Sequence, residues 1–231
     1  MTEPRSIPQS RYTAPPGATE ILLVRHGASE AAVEGVSFPL VDGHGDPALA
    51  PEGREQALQV AARLGRERID AIYVSKLRRT SETAAPLAAA LGLTPILDPD
   101  LHEVFLGEWE GGLFRHKVAD GDPIAMRLFT EERWDVIPGA EPADDFAARA
   151  RRCIDRLAAA HPDQRVVAVS HGAFIGEVLH LATGSRPMAF MAAENTSISH
   201  LVVIGDRWML RRFNDTGHLD DGLSAGSAPL T

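Results

Sequence analysis

Apolar residues in this chain fall into two spacings that alternate along most of its length. Short continuous runs rich in branched side chains occupy Glu20 to Val24, Ala71 to Ser75, Pro95 to Leu97 and Arg165 to Ser170. Runs of that length, bounded by turn residues, read as strands buried on both faces. Longer stretches with helical spacing lie between them. Pro51 to Arg66 carries Ala57, Leu58, Ala61, Ala62 and Leu64 before Gly65, and Arg79 to Leu91 stops at Gly92. Glycine just past the last apolar position marks the end of each helix. Asp145 to His161 and Phe174 to Thr183 continue the alternation, and Ile198 to Ile204 with Trp208 to Phe213 predict a closing hairpin across Gly205-Asp206.

Alternating strands and helices predict an α/β fold: a three-layer sandwich with a mostly parallel central sheet and helices on both faces. In such sheets ligands bind beyond the carboxyl ends of the strands. The rhythm breaks between about Phe105 and Asp144, where Gly111-Gly112, Asp120-Gly121-Asp122-Pro123 and Pro138-Gly139 punctuate short pieces. This segment is expected to be a small inserted cap over the site. Residues 1–18 and 219–231 are expected to be flexible tails around one domain at 19–218.

Composition narrows the class without changing the fold. With 231 residues, 44% hydrophobic and 24% charged, the chain has the balance of a soluble globular protein. No apolar run is long enough to cross a bilayer, and the polar, proline-bearing start lacks the apolar block of a secretory signal. A cytoplasmic location without membrane partners is expected. A formal charge of −9 argues against nucleic-acid partners, although a few arginines converging in a cleft can still bind a small anion. The lone Cys153, in an alanine- and arginine-rich helical stretch, reads as an inert packing residue. A homodimer is expected only because two-fold pairs are common.

The chemistry starts from a repeated ending. Two predicted strands finish in histidine and glycine, Val24-Arg25-His26-Gly27 and Val169-Ser170-His171-Gly172. In a parallel sheet both imidazoles reach one edge, each at a turn where glycine admits close backbone approach and a following helix start favours an anion. Arg25 adjoins His26, and Arg79 sits where the second strand meets its helix. Arg78 and Arg79 read equally as solvated first-turn charges, yet a cation is disfavoured at a helix start, which turns Arg79 toward an anion-binding task. A leaving alkoxide needs a proton. Glu103, after the third strand, is a candidate acid whose apolar flanks would raise its pKa, with Glu108 and Glu110 as competitors.

Taken in order, the motifs become specific. Arg25-His26-Gly27 with Ser29 comes first, then Asp46-Pro47 with Leu49 and Gly53, then Ser75-x-Leu77-x-Arg79-Thr80 with Glu82-Thr83-Ala84. Glu103 to Gly107-x-Trp109-Glu110-Gly111 and Ser170-His171-Gly172 follow. Together, over roughly residues 20 to 205, they resemble the histidine phosphatase superfamily, also called phosphoglycerate mutase-like. The resemblance implies that His26 is the nucleophile and that Arg25, Arg79 and His171, with Ser29 and the backbone of Gly172, bind the phosphoryl group. It implies that Glu103 donates the leaving-group proton and later activates water, and that neither a metal nor a cofactor takes part. No HExxH or close Cys/His ligand spacing is present in the sequence.

One departure stands out. Mutase-like members carry asparagine where this chain has Ala32, so one phosphate contact is missing or comes from Ser29 or the backbone. The Tyr-Gly and Gly-Leu-Asn-Lys segments of glycolytic mutases are absent too, which favours hydrolysis. The leading expectation is a phosphatase acting on a small phosphorylated metabolite, ahead of a phosphomutase and of a non-catalytic phosphate-sensing module. Arg115-His116-Lys117 reads as a solvated helix face ahead of a reader of a second anion. Asn214 to His218 reads as a turn before the tail ahead of a pocket closure, and Trp109, Trp134 and Phe190 are candidates for an apolar wall.

Overall fold

The computed structural model describes residues 6–219. β1 (Thr19–Arg25) leads into a loop holding a small hairpin, β2 (Leu40–Val41) and β3 (His44–Gly45). Then come α1 (Pro51–Leu64), β4 (Ala71–Val74), α2 (Arg78–Leu91) and β5 (Ile96–Leu97). Short 3-10 turns and two helices, α3 (Leu113–Ala119) and α4 (Pro123–Glu131), separate β5 from α5 (Ala143–Ala160). The order closes with β6 (Arg165–Ser170), α6 (Gly172–Thr183), β7 (Ile198–Ile204) and β8 (Arg207–Asp215).

The main sheet runs β5-β4-β6-β1-β7-β8. The first four of these pair in parallel, while β7 and β8 are antiparallel additions. Alternate residues of the central strands feed two cores. Ile21 and Leu23 of β1, with Val166 and Ala168 of β6, pack under Phe146, Ile154 and Leu157 of α5 and Phe174 and Val178 of α6. Leu22, Val24, Val167 and Val169 face the other way, onto Val60 and Leu64 of α1 and Leu87 of α2. Both sheet faces are therefore covered, which makes the three layers and explains the unbroken apolar runs. Cys153 lies fully buried in the first core, and burial pushes its thiol pKa up, as an inert packing residue requires.

The structure departs from the sequence reading at the margins. β5 is only two residues long and exposed rather than buried, because it is the sheet's edge. The β2–β3 hairpin is an element that the apolar pattern does not predict; it turns through Asp42 and Gly43, both at positive φ of 46° and 83°. The segment between β5 and α5 builds its own apolar cluster from Trp109, Ala125, Leu128 and Ile137. β8 runs to Asp215 and absorbs Asn214, which is strand rather than turn. Of the expected tails, residues 1–5 and 220–231 lie outside the described residues, and residues 6–18 contain no helix or strand. Leu219, expected in the C-terminal tail, is instead buried against the cleft described below. Among the described residues, no helix is long and apolar enough to cross a membrane.

Candidate active site

Parallel pairing brings the chemistry to one edge. Arg25 and Ser170 are register partners, so the next residues, His26 and His171, leave the sheet side by side. Val74 pairs with Val169, which carries Ser75 and the start of α2 to the same place. The two imidazoles stand 5.1 Å apart, edge to face at 61°. The His26 amide donates to Ser170 O at 2.9 Å, and Asn195 Nδ2 donates to the His26 carbonyl at 2.8 Å. The turn beyond is pressed onto α1: a Cβ on Gly27 would lie 2.5 Å from Gly53 O, so no larger residue fits.

His26 has its tautomer fixed by its neighbour. Its Nδ1 lies 2.7 Å from Gly27 O, and a carbonyl can only accept, so Nδ1 carries the proton and Nε2 keeps its lone pair. Burial, followed by the guanidiniums of Arg79 and Arg25, holds the ring well below the usual imidazole range. The residue is thus neutral at pH 7, the form in which a histidine can attack phosphorus.

Two guanidiniums and the second histidine interlock around it. Arg79, only 7% exposed, donates from Nη1 to Gly45 O at 2.9 Å and from Nη2 to His171 Nδ1 at 3.1 Å. Burial lowers its pKa to about 10, against the opposing pull of Glu103 and Asp46, so it remains charged. Its neighbour Arg78 turns outward, its Nε donating to Asp46 O, which separates the two readings open for this pair. Arg25 donates to Ala193 O and passes over Gly172, where a Cβ would sit 3.5 Å from its Nε. Arg79 offers only donors, so His171 Nδ1 accepts and its Nε2–H donates to Ser75 Oγ at 2.9 Å. Ser75 Oγ meets Thr80 Oγ1 at 3.1 Å, and Thr80 donates on to Leu77 O. In this arrangement His171 is fully buried and holds Arg79 in place rather than pointing an N–H into the cleft.

Glu103 sits where the sequence pattern predicts an anionic ligand. Its Oε1 accepts from the Val104 and Phe174 amides at 3.0 and 3.1 Å, and its Oε2 from the Ala173 amide at 3.2 Å. The carboxyl group therefore occupies the amino end of α6, and the apolar surroundings expected for it are replaced by backbone N–H groups. The helix start at Gly172 is taken by the protein itself. Of the competing carboxylates, Glu108 is exposed, and both oxygens of Glu110 are engaged by the Leu106 and Gly45 amides.

These groups open onto a cleft of about 580 Å³, lined by Arg25, His26, Arg79 and Glu103 and walled by Phe38, Trp109, Phe114 and Trp134. Phe190 is absent from that wall and packs on Phe213. Ser29 does not line the cleft either; its hydroxyl accepts from Arg115 Nη2 at 2.7 Å. Arg115 itself faces the cleft, which corrects its reading as part of a solvated helix face, whereas Lys117 pairs with Asp122. Asn214 accepts from the Glu194 amide, bracing the wall that carries Asn195. Sequence reasoning places Asp46 in a motif but gives it no role, and here its Oδ1 accepts from the Arg78 amide at the start of α2; it does not single out Gln56, which accepts from the Ala28 amide. The Asp-Pro motif is the signal for the first; nothing local signals the second. Among the described residues, no group of three or more His, Cys, Asp or Glu is placed to hold a metal ion.

Comparison with known proteins gives a consistent picture. A family model described as histidine phosphatase superfamily (branch 1) matches residues 21–216. The chain is 34% identical over 209 residues to phosphoglycerate mutase-like protein 4 of Arabidopsis thaliana, covering 87% of each. It is 30% identical over 205 residues to a metal-independent phosphoserine phosphatase of the same plant, covering 87% of this chain and 83% of that protein. It also resembles the solved structure of a mycobacterial glucosyl-3-phosphoglycerate phosphatase with VO3, at a TM-score of 0.72 and 31% identity, over 85% of this chain and 99% of that one.

Proposed function

The chain belongs to the histidine phosphatase superfamily, and from that premise we propose that it hydrolyses a small metabolite's phosphomonoester through a phosphohistidine on His26, without a metal ion. It is a phosphoric monoester hydrolase. The observation that carries the route is the fixed tautomer of His26, whose Nε2 lone pair stands beside two guanidiniums. His26 Nε2 attacks phosphorus in line, forming a P–N bond as the P–O bond to the alcohol breaks. Arg25 and Arg79 neutralise the charge spread over the equatorial oxygens. Glu103 gives the departing oxygen its proton, and Oε2, with one amide contact, has room to hold it. The resulting carboxylate then takes a proton from water as that water breaks the P–N bond and releases phosphate.

His171 follows the phosphoryl group. Its Nε2–H stays on Ser75 Oγ, and Nδ1, freed once Arg79 shifts onto the ligand, can take the proton of a monoanionic phosphomonoester, so that the resulting imidazolium donates Nδ1–H to a phosphoryl oxygen. A small substrate is supported by the cleft volume of about 580 Å³ and by relatives named for phosphoserine and glucosyl-3-phosphoglycerate. The test is phosphate release across a panel of phosphorylated metabolites in excess chelator, with and without a bisphosphorylated primer. Release that needs neither metal nor primer is expected. Primer-dependent isomerisation with negligible release would replace hydrolysis by a mutase reaction.

A further inference from the structure

We infer that Arg115, delivered from the cap, is a third guanidinium of the phosphoryl cradle and supplies the polar group that Ala32 cannot. The inference rests on the phosphohistidine reading above and adds to it a ligand outside the five motifs. Three observations carry it. First, α3 docks beside the nucleophile loop: a Cβ on Gly112 would lie 3.3 Å from the Ala32 Cβ, and Arg115 follows on the first turn of that helix. The small side chain at 32 thus faces the element that brings the arginine. Second, Arg115 is oriented rather than loose. Its Nη1 donates to Glu30 O and its Nη2 to Ser29 Oγ, both at 2.7 Å, and it lies over the Phe38 ring at 5.6 Å. Ser29, three residues after the nucleophile, therefore serves as its anchor.

Third, the charge is uncompensated. Among the described residues no carboxylate lies within ion-pair distance of Arg115, and burial alone lowers its pKa. A guanidinium held in a cleft without a counter-ion is costly unless an anion arrives there. Arg115 lines the same cleft as His26, Arg25 and Arg79, and its charge acts on all three, so the place where that anion would be neutralised is shared with the nucleophile. Two of its five N–H groups are committed to the anchor, which leaves three for phosphoryl oxygens.

The experiment compares wild type with Arg115→Gln and Arg115→Lys, using p-nitrophenyl phosphate and phosphoserine as substrates and inorganic phosphate as competitive inhibitor. Removing one charge-assisted hydrogen-bonding group predicts that the phosphate inhibition constant rises about tenfold or more in Arg115→Gln and less in Arg115→Lys. Both substrates should lose kcat/KM by a similar factor. An unchanged phosphate inhibition constant in Arg115→Gln, with or without a fall in melting temperature, would reduce the residue to a cap anchor. A loss confined to phosphoserine would make it a reader of the carboxylate and overturn the inference. A wild-type enzyme that hydrolyses neither substrate and forms no phosphohistidine would instead remove the underlying reading.

Discussion

The turns after β1 and β6 carry the same His-Gly pair at the same sheet edge, yet their partners give the two imidazoles different freedom. His26 faces a carbonyl, which cannot donate, so its proton stays on Nδ1 and its lone pair on Nε2. His171 lies between a guanidinium that can move onto a ligand, which frees Nδ1 to take a proton, and a hydroxyl that keeps its Nε2–H in place. The first arrangement suits a nucleophile; the second suits a group that reorganises when charge arrives. The strand pattern puts both rings in place, and the partner of Nδ1, a carbonyl or a guanidinium, divides the labour.

The largest effect should come from His26→Ala, which removes the covalent step. Its kcat should fall on the order of 10⁴-fold or more, measured by p-nitrophenyl phosphate turnover. Glu103→Gln should come next, roughly 10²-fold or more on an alkyl phosphate and much less on p-nitrophenyl phosphate, whose leaving group needs no proton. Equal losses on the two esters would take the acid role from Glu103. His171→Ala sharpens the contrast between the histidines: a loss of roughly 10- to 100-fold with phosphoenzyme still formed is expected of a residue that orients Arg79. If His171→Ala were as inert as His26→Ala, the division of labour would collapse.

The smallest effect is on stability. Burial, then Arg79, lowers the pKa of both rings below the unfolded value of about 6.5. The unfolded chain then binds more protons, so this stability is present above pH 6.5 and lost as pH falls below it. His102, lowered to about 4, acts in the same direction. The melting temperature of the ligand-free protein should drop between pH 7 and pH 5, and less steeply in His171→Ala. Parallel pH profiles for the two proteins would remove His171 from the effect.

How much of this is legible in the sequence follows the range of the interactions. β1 and β6 are legible because their residues are buried on both faces, leaving unbroken apolar runs. The shared edge for His26, His171, Ser75 and Arg79 follows from parallel pairing alone. The Asp42-Gly43 turn carries a hairpin signal, but its two-residue strands are too short to show alternation. Glu103's surroundings escape a local reading because two of its three donors come from α6, about 70 residues away. Arg115 escapes it because a local sequence gives a helix its polar face but not the surface it docks on.

The central claim is a covalent bond at one nitrogen of one histidine, and rapid chemical quench with a radiolabelled phosphomonoester tests it most directly. Label should appear on His26 Nε2 as a base-stable, acid-labile adduct, form and decay fast enough to account for turnover, and vanish in His26→Ala. Turnover without any such adduct, or an adduct on another residue, would contradict the account.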